Sequence, residues 1–404
     1  MEKEFFESFR KDDYQRDNFD RFIKAIRFSF NIPAIHIAGT NGKTSTANFI
    51  AGGYIRQGYK VGLFTSPYLY SPNEMIKING QEISDDDFMD IYNKYKKEIK
   101  KYDLSAFEVE VFVALSHFQN SHCDLAVIEC GMGGEIDATN IITPILTIIT
   151  SISLEHTEFL GYTISEITAQ KSGIFKENVP ILVPELPEDA MTVIYETAKL
   201  NDAKINYLGH PVQEQLLDDG YSFVYGDFGT VKISSFAKYN IQNTVVALEA
   251  ISLLREQFPF DTEKVVEGIS KVQLPCEVEI VSRNPLVIID GARNQEAMKK
   301  FCDVELLKII KSRPIHVIFA CCKDKNLSAL LAVVGETTHD LTITTFDSPR
   351  ARGEDEYFLF AEDYKFVADP IQLLNDKMQE FPDDCFFITG SLAFAALMRK
   401  QFIK

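Results

Sequence analysis

Residues 35–46 read Ile35-His36-Ile37-Ala38-Gly39-Thr40-Asn41-Gly42-Lys43-Thr44-Ser45-Thr46. An apolar run ends in a turn with two glycines, and a helical pattern follows from Ala47 to Ile55. Strand, turn and helix in that order are what a phosphate cradle requires. The N–H groups of the turn and of the first helical turn point at the anion, and Lys43 adds a full positive charge. Gly42-Lys43-Thr44 fits the pattern G-x-x-x-x-G-K-[ST], with the first glycine at 39 rather than 37. A chance Gly-Lys-Thr in a surface turn is the alternative, and it leaves the flanking strand and helix unexplained. The stretch therefore predicts nucleotide binding by Gly39, Thr40, Asn41, Gly42, Lys43, Thr44 and Ser45.

The pattern around the turn is an alternation of strands and helices. Short apolar runs at Ala34–Ile37, Lys60–Phe64, Asp124–Glu129, Pro144–Ser153 and Pro180–Val183 predict buried parallel strands. Helical spacing covers residues 4–29, where Phe5, Phe6, Phe9, Phe19, Phe22, Ile23 and Ile26 recur among charges as one or two amphipathic helices, then a segment capped by Ser84, Phe107–Phe118 and Ser165–Ile174. This order specifies a doubly wound α/β sheet. Between about 205 and 235 the pattern turns to β-like alternation broken by glycines, and helices are expected over Asn240–Gln257 and after Asp261. A second α/β run opens at Leu286–Asp290, with strands expected at Ile315–Ala320, Leu341–Thr345 and Cys385–Thr389. The expectation is two domains: a P-loop-containing, doubly wound domain over 1–283 and a smaller Rossmann-like domain over 284–404.

Length supports that division, because 404 residues exceed what one core usually serves. A formal charge of −18 argues against a nucleic-acid or anionic-membrane binder, which needs a broad basic face. The seven cysteines lack C-x-x-C spacing and suggest reduced thiols. Cys123, Cys130, Cys321 and Cys322 lie in apolar runs and are expected to be buried. The first residues are charged and do not resemble a secretory signal, and no apolar stretch reaches the length of a membrane span. A cytoplasmic protein is expected.

Several separated motifs resemble, in order, the folylpolyglutamate and dihydrofolate synthases, ATP-dependent amide ligases related to the muramyl ligases. They are Gly39-Thr40-Asn41-Gly42-Lys43, Thr65-Ser66-Pro67, Ile78-Asn79-Gly80, and Glu129-x-Gly131-x-Gly133-Gly134 with Asp137-Ala138-Thr139-Asn140. His156-Thr157-x-x-Leu160-Gly161, Lys171-x-Gly173-Ile174, Asp290-Gly291-Ala292, Asp324-Lys325 and Thr389-Gly390-Ser391-Leu392 follow. The resemblance implies ATP activation of a reduced folate or dihydropteroate carboxylate, then amide formation with L-glutamate. It implies catalytic roles for Lys43, His156 and Lys171, with Lys171 carried as a carbamate. Ser66 and Glu129 are implied as ligands of one magnesium, a hard cation that prefers such oxygens, and His156 as a ligand of a second, a less typical role for an imidazole. Ser105, Phe107 and Glu108 are implied at the pterin, Asn243 near the adenine and Asp290 at the ribose. A monomer acting on small molecules, without nucleic acid or membrane, is expected.

Each residue also has a plainer reading. His156 could be a hydrogen-bonded histidine after a strand, Lys171 a helix-surface charge, Phe107 a core side chain and Asn243 a helix cap. The chain also departs from the family pattern. Glu135 and Glu277 stand where arginines are usual, Tyr239-Asn240 where His-Gln is usual, Tyr68 and Arg293 where histidines are usual. Arg293 is expected to take over part of the cationic role lost at 277. These changes leave two other readings: a ligase of the same architecture using another carboxylic acid, or a diverged nucleotide-binding homologue without turnover.

Overall fold

The computed structural model describes residues 16–302, 310, 313–336, 338, 340–360 and 364–403. The chain divides into two units. One comprises the chain up to Glu214 with Ser222–Ile233 and Asn240–Val272; the other comprises Gln215–Tyr221, Ser234–Tyr239 and the chain from Gln273 onward. Phe5, Phe6 and Phe9, read as part of an N-terminal amphipathic segment, lie outside the described residues.

The elements up to the phosphate turn are α1 (Arg16–Ala25) and β1 (Ala34–Ala38), with α2 (Lys43–Gln57) after it. β2 (Val61–Phe64), β3 (Ile76–Ile78), β4 (Gln81–Glu82), α3 (Asp85–Lys101), α4 (Ala106–Asn120), β5 (Leu125–Glu129) and β6 (Leu146–Ile149) follow. Next come α5 (Thr157–Leu160), α6 (Ile164–Ser172), β7 (Ile181–Val183), α7 (Glu188–Leu200) and β8 (Ile205–Tyr207). The glycine-broken stretch gives β9 (Val212–Leu217), β10 (Gly220–Tyr225) and β11 (Gly229–Ile233), which form a separate three-stranded sheet. α8 (Tyr239–Leu253) and α9 (Thr262–Ser270) complete this part.

The main sheet has the order β4-β3-β2-β5-β1-β6-β7-β8. β3 pairs antiparallel with both β2 and β4, and the remaining pairs are parallel. β1 and β5 are buried at every position, as central parallel strands require. Their register sets Ile37 beside Glu129 and Ala38 beside Ile149. The chain leaves β1 for β2 on one side and returns to β6 on the other, so the crevice at the carboxyl end of β1 is a topological switch point. The Asn79-Gly80 turn between β3 and β4 has φ of 50° and 79°, the left-handed geometry that such a dipeptide favours. Packed against the sheet, Phe22 and Phe112 meet edge to face with centroids 5.0 Å apart. Truncating either to alanine would cost about 3–5 kcal/mol.

The second unit carries β12 (Glu279–Arg283), β13 (Leu286–Ile289), α10 (Gln295–Phe301), β14 (Ile315–Phe319) and α11 (Leu327–Gly335). β15 (Asp340–Thr344), β16 (Lys365–Val367), α12 (Pro370–Glu380), β17 (Cys385–Thr389) and α13 (Leu392–Arg399) follow. Its sheet runs β12-β13-β17-β14-β15-β16, parallel except at the first pair. At the amino ends of β14 and β15 the buried His316 bridges two carboxylates, Asp340 through Nδ1 and Asp384 through Nε2 at 2.8 Å. Its ring stacks on Phe381 and Phe386, with centroids 4.6 and 5.1 Å away. Cys123, Cys130, Cys321 and Cys322 are buried, and all seven cysteines are free. No helix among the described residues is long and apolar enough to cross a membrane.

Candidate active site

The phosphate turn is fixed from the β6 side by polar contacts. Thr40 N–H donates to the Ser151 carbonyl at 2.9 Å and Asn41 N–H to Ser151 Oγ at 2.8 Å. Thr150 Oγ1 and Ser151 Oγ donate to the Asn41 carbonyl at 2.7 and 3.0 Å. Gly39 has φ 150° and Gly42 φ 83°. A Cβ at 39 would strike Thr150 Oγ1, and one at 42 would strike the Asn243 amide. Glycine is required at both positions by conformation and by space. The same contact brings Asn243, which donates to Asn240 Oδ1 at 2.8 Å, against the turn.

Gly42 caps α2 in the left-handed conformation, so the free N–H groups of the first helical turn begin at Lys43. Lys43 Nζ donates to the Gly39 and Thr40 carbonyls at 2.9 and 3.1 Å. Lys171, at the end of α6 and 4% exposed, donates to the same Gly39 carbonyl at 2.9 Å. Two amines thus meet on one carbonyl. Burial, and then the Lys43 charge, push the Lys171 amine down to about 7.

Glu129 ends β5 and is 1% exposed. Thr44 Oγ1 donates to its oxygens at 3.0 and 2.8 Å, and Ser66 N–H to Oε2 at 3.3 Å. Thr44 and Ser66 are therefore gathered on one buried carboxylate. Among the described residues no three His, Cys, Asp or Glu side chains form a metal cluster. A single buried carboxylate beside the phosphate turn nonetheless fits magnesium, which is held by one or two carboxylates and otherwise by water and substrate phosphates. His156 precedes α5 at φ 52°, a left-handed conformation uncommon for a residue with a side chain. Its Nε2 lies 3.9 Å from Glu155 Oε1.

Ser105 and Glu108 form a capping box at the start of α4. Ser105 N–H and Oγ donate to Glu108 Oε2 at 2.6 and 2.8 Å, and Glu108 N–H donates back to Ser105 Oγ at 3.3 Å. The Phe107 ring lies 5.9 Å from that of Phe64, against the backbone of Gly131, where a Cβ would collide with it. This sets the first turn of α4 at the carboxyl end of β2 and β5. The loop after Glu129 is held by Asp137, which accepts from Met132 N–H at 2.8 Å and Thr139 N–H at 2.9 Å. Glu135 is exposed on this loop, and Arg16 of α1 donates to its carbonyl and to that of Asn140.

In the second unit Asp290 follows β13 and is 3% exposed. It accepts from Val278 N–H at 2.9 Å and Ala292 N–H at 2.7 Å, with Tyr239 Oη 3.5 Å away. Burial pushes its carboxyl up to about 7 despite those donors. Arg293 lies three residues on, partly exposed. Thr150 and Ser151, which brace the phosphate turn, were not among the residues expected there. The only signal for them is a polar pair directly after a buried strand.

A phosphate turn at the switch point of a parallel sheet, with lysines and a carboxylate around it, defines a nucleotide-binding α/β protein. Residues 37–251 match the Mur ligase middle domain family. The chain is 32% identical to the dihydrofolate synthase/folylpolyglutamate synthase of Bacillus subtilis, across 92% of its own length and 90% of that protein's. It is similar to Mycobacterium tuberculosis folylpolyglutamate synthase complexed with ADP and AMPPCP (TM-score 0.86, 25% identity, 96% of each chain). An FPGS–AMPPCP–folate complex gives a TM-score of 0.87 at 25% identity, over 99% of this chain and 98% of that one. The chain belongs to the Mur ligase family, in the branch of the dihydrofolate and folylpolyglutamate synthases.

Proposed function

We propose that the chain is an ATP-dependent ligase that joins L-glutamate to the carboxylate of a reduced folate, with dihydropteroate as a second acid of the same class. The observation that carries this reading is the meeting of Lys43 and Lys171 on the Gly39 carbonyl, beside a turn braced by Thr150 and Ser151. The two similar structures described above hold ADP, AMPPCP and folate.

In the proposed reaction a carboxylate oxygen of the acid attacks the γ-phosphorus of ATP and ADP departs, leaving an acyl phosphate. The amine of glutamate attacks the acyl carbon, phosphate leaves, and one proton is lost. The turn N–H groups, Lys43 and the Thr44 and Ser45 positions bind the phosphates and stabilise the charge of the transferred group. Glu129 and Ser66 would hold one magnesium and His156 a second, and the bound metal would neutralise charge on the phosphate oxygens. Lys171 is suited to carbamate formation because a neutral amine at about pH 7 can attack carbon dioxide. The C–N bond forms, a proton is released, and the cation is replaced by two anionic oxygens able to serve a metal. Phe107 offers a ring face to the pterin, with Ser105 and Glu108 shaping the helix start.

Asn243 is assigned to the adenine, Asp290 to the ribose and Arg293 to phosphate. Residues 1–283 are assigned to ATP binding and 284–404 to glutamate. A cytoplasmic monomer suits small-molecule substrates and seven free thiols. The experiment is incubation with ATP, magnesium, tetrahydrofolate and L-glutamate, followed by mass spectrometry of the folate product. Addition of one glutamyl residue per ADP supports the reading; ADP formed without that product refutes it.

A further inference from the structure

β1 carries a side chain that a buried central strand does not need. Its residues are Ala34, Ile35, His36, Ile37 and Ala38, and His36 is fully buried. Nδ1 of the ring has no hydrogen-bond partner among the described residues, which weakens the fold. Burial, and then the charges of Lys176 and Arg16, lower the ring to about 3, so it is neutral at pH 7. Valine or isoleucine would serve such a strand better, and the contacts of the other ring nitrogen must account for the histidine.

Those contacts fix the tautomer. Nε2 lies 2.8 Å from Thr139 Oγ1. That hydroxyl has one hydrogen, and it donates to Asp137 Oδ1 at 2.6 Å. It therefore meets the ring as an acceptor, and the proton of the neutral imidazole sits on Nε2. Cys130 Sγ, 3.1 Å away, is a second and weaker acceptor for the same N–H. Donors thus run in series from His36 through Thr139 to Asp137, whose Oδ2 also accepts from Met132 N–H. Buried bonds in series polarise and strengthen one another.

The loop held in this way reaches α6. Glu135 N–H donates to the Gln170 carbonyl at 2.8 Å, and Asn140 Nδ2 to the Gly173 carbonyl at 3.0 Å. A Cβ on Gly134 would strike the carbonyls of Gln170 and Lys171, so the loop backbone lies directly on the last turn of the helix. Lys171 then returns to the end of β1 by donating to the Gly39 carbonyl. The contacts close a circuit from β1 through the 130–140 loop and the end of α6 to the turn that follows β1.

We propose that His36 is a positioning residue for Lys171, acting through Thr139 and the Asp137 loop to hold the end of α6 against the phosphate turn. This role rests on the ligase reading given above, in which Lys171 serves the phosphoryl transfer. It explains why a ring with one unpaired nitrogen is kept in an apolar strand: the other nitrogen supplies the first donor of the series.

The test uses full-length wild type, His36→Leu, His36→Gln, Thr139→Val and the His36→Leu/Thr139→Val double variant. Glutamine sets an N–H donor where Nε2 stands, whereas leucine and valine keep bulk and cut the series at one joint each. His36→Leu and Thr139→Val are each expected to lower kcat at saturating tetrahydrofolate by about tenfold, with the KM for ATP kept within about twofold. The double variant should lose no more than the worse single one, because both cut the same series. His36→Gln should recover kcat to within about threefold of wild type. Unchanged kcat in the single variants, losses that multiply in the double variant, or glutamine as poor as leucine overturns the proposal. Should His36→Leu fail to fold, Thr139→Val and His36→Gln supply the comparison. Amide hydrogen exchange separates this from the ligase reading, since it needs no turnover. Residues 131–140 and 170–174 are expected to exchange about tenfold faster in His36→Leu and Thr139→Val than in wild type and His36→Gln, with Cys385–Thr389 unchanged. If wild type forms no product, the ligase reading falls, yet faster exchange in those two segments still upholds the circuit, and equal exchange overturns it.

Discussion

Replacing Lys171 by methionine should change how the stability of the protein depends on pH. The amine is 4% exposed, and burial followed by the Lys43 charge lowers it from 10.5 to about 7. At 1.36 kcal/mol per pKa unit, the folded protein prefers the neutral amine by about 5 kcal/mol. Between about pH 7 and 10.5 the unfolded chain keeps a proton on this lysine that the folded chain lacks. Folding is therefore strengthened as pH rises through that window, and below about 7 the full penalty is present. Urea denaturation of wild type and Lys171→Met, followed by far-ultraviolet circular dichroism in buffer free of carbon dioxide, isolates this group, because the difference cancels other titrations. Wild-type stability minus that of the variant should climb between pH 7 and 10, at up to about 1.4 kcal/mol per pH unit. A difference that stays flat over that range would refute the argument. In bicarbonate at pH 8, intact wild type should gain the mass of one carbon dioxide under native conditions and Lys171→Met should not.

Three further outcomes are expected. Gly42→Ala should abolish ATP binding measured by calorimetry while the protein remains folded, because the Cβ meets both a left-handed φ and the Asn243 amide. Arg293→Ala should weaken ATP binding by about tenfold or more, the usual size of a lost charge-assisted contact; an unchanged Kd would remove Arg293 from the phosphate site. His316→Asn should destabilise the protein by about 3 kcal/mol in urea unfolding, since it leaves Asp340 and Asp384 without their shared donor. Lys377 and His316 hold the Asp340 carboxyl below its ordinary value, so this contribution is present at neutral pH and fades as pH falls through the depressed value. A variant as stable as wild type at pH 7 would contradict it.

The sheet was legible because its strands are short, apolar and buried on both faces, and its turns carry their own chemistry. The Asn79-Gly80 turn and the strand Cys385–Thr389 are examples. Helix ends were less legible: α8 was read as running to Gln257 and stops at Leu253, where nothing in the local spacing marks a stop. The Thr44–Glu129 contact follows from parallel register between segments 85 residues apart, although the glycine-bearing turn and a carboxylate ending a strand each stood out alone. The His316 bridge was invisible because its partners come from the starts of two other strands.

The most direct test of the account follows oxygen. Tetrahydrofolate labelled with oxygen-18 in its glutamyl carboxylates is turned over with ATP, magnesium and unlabelled L-glutamate, and the released phosphate is analysed by mass spectrometry. The account predicts one labelled oxygen in each phosphate, carried there when the acyl phosphate breaks. Unlabelled phosphate released together with ADP would contradict it.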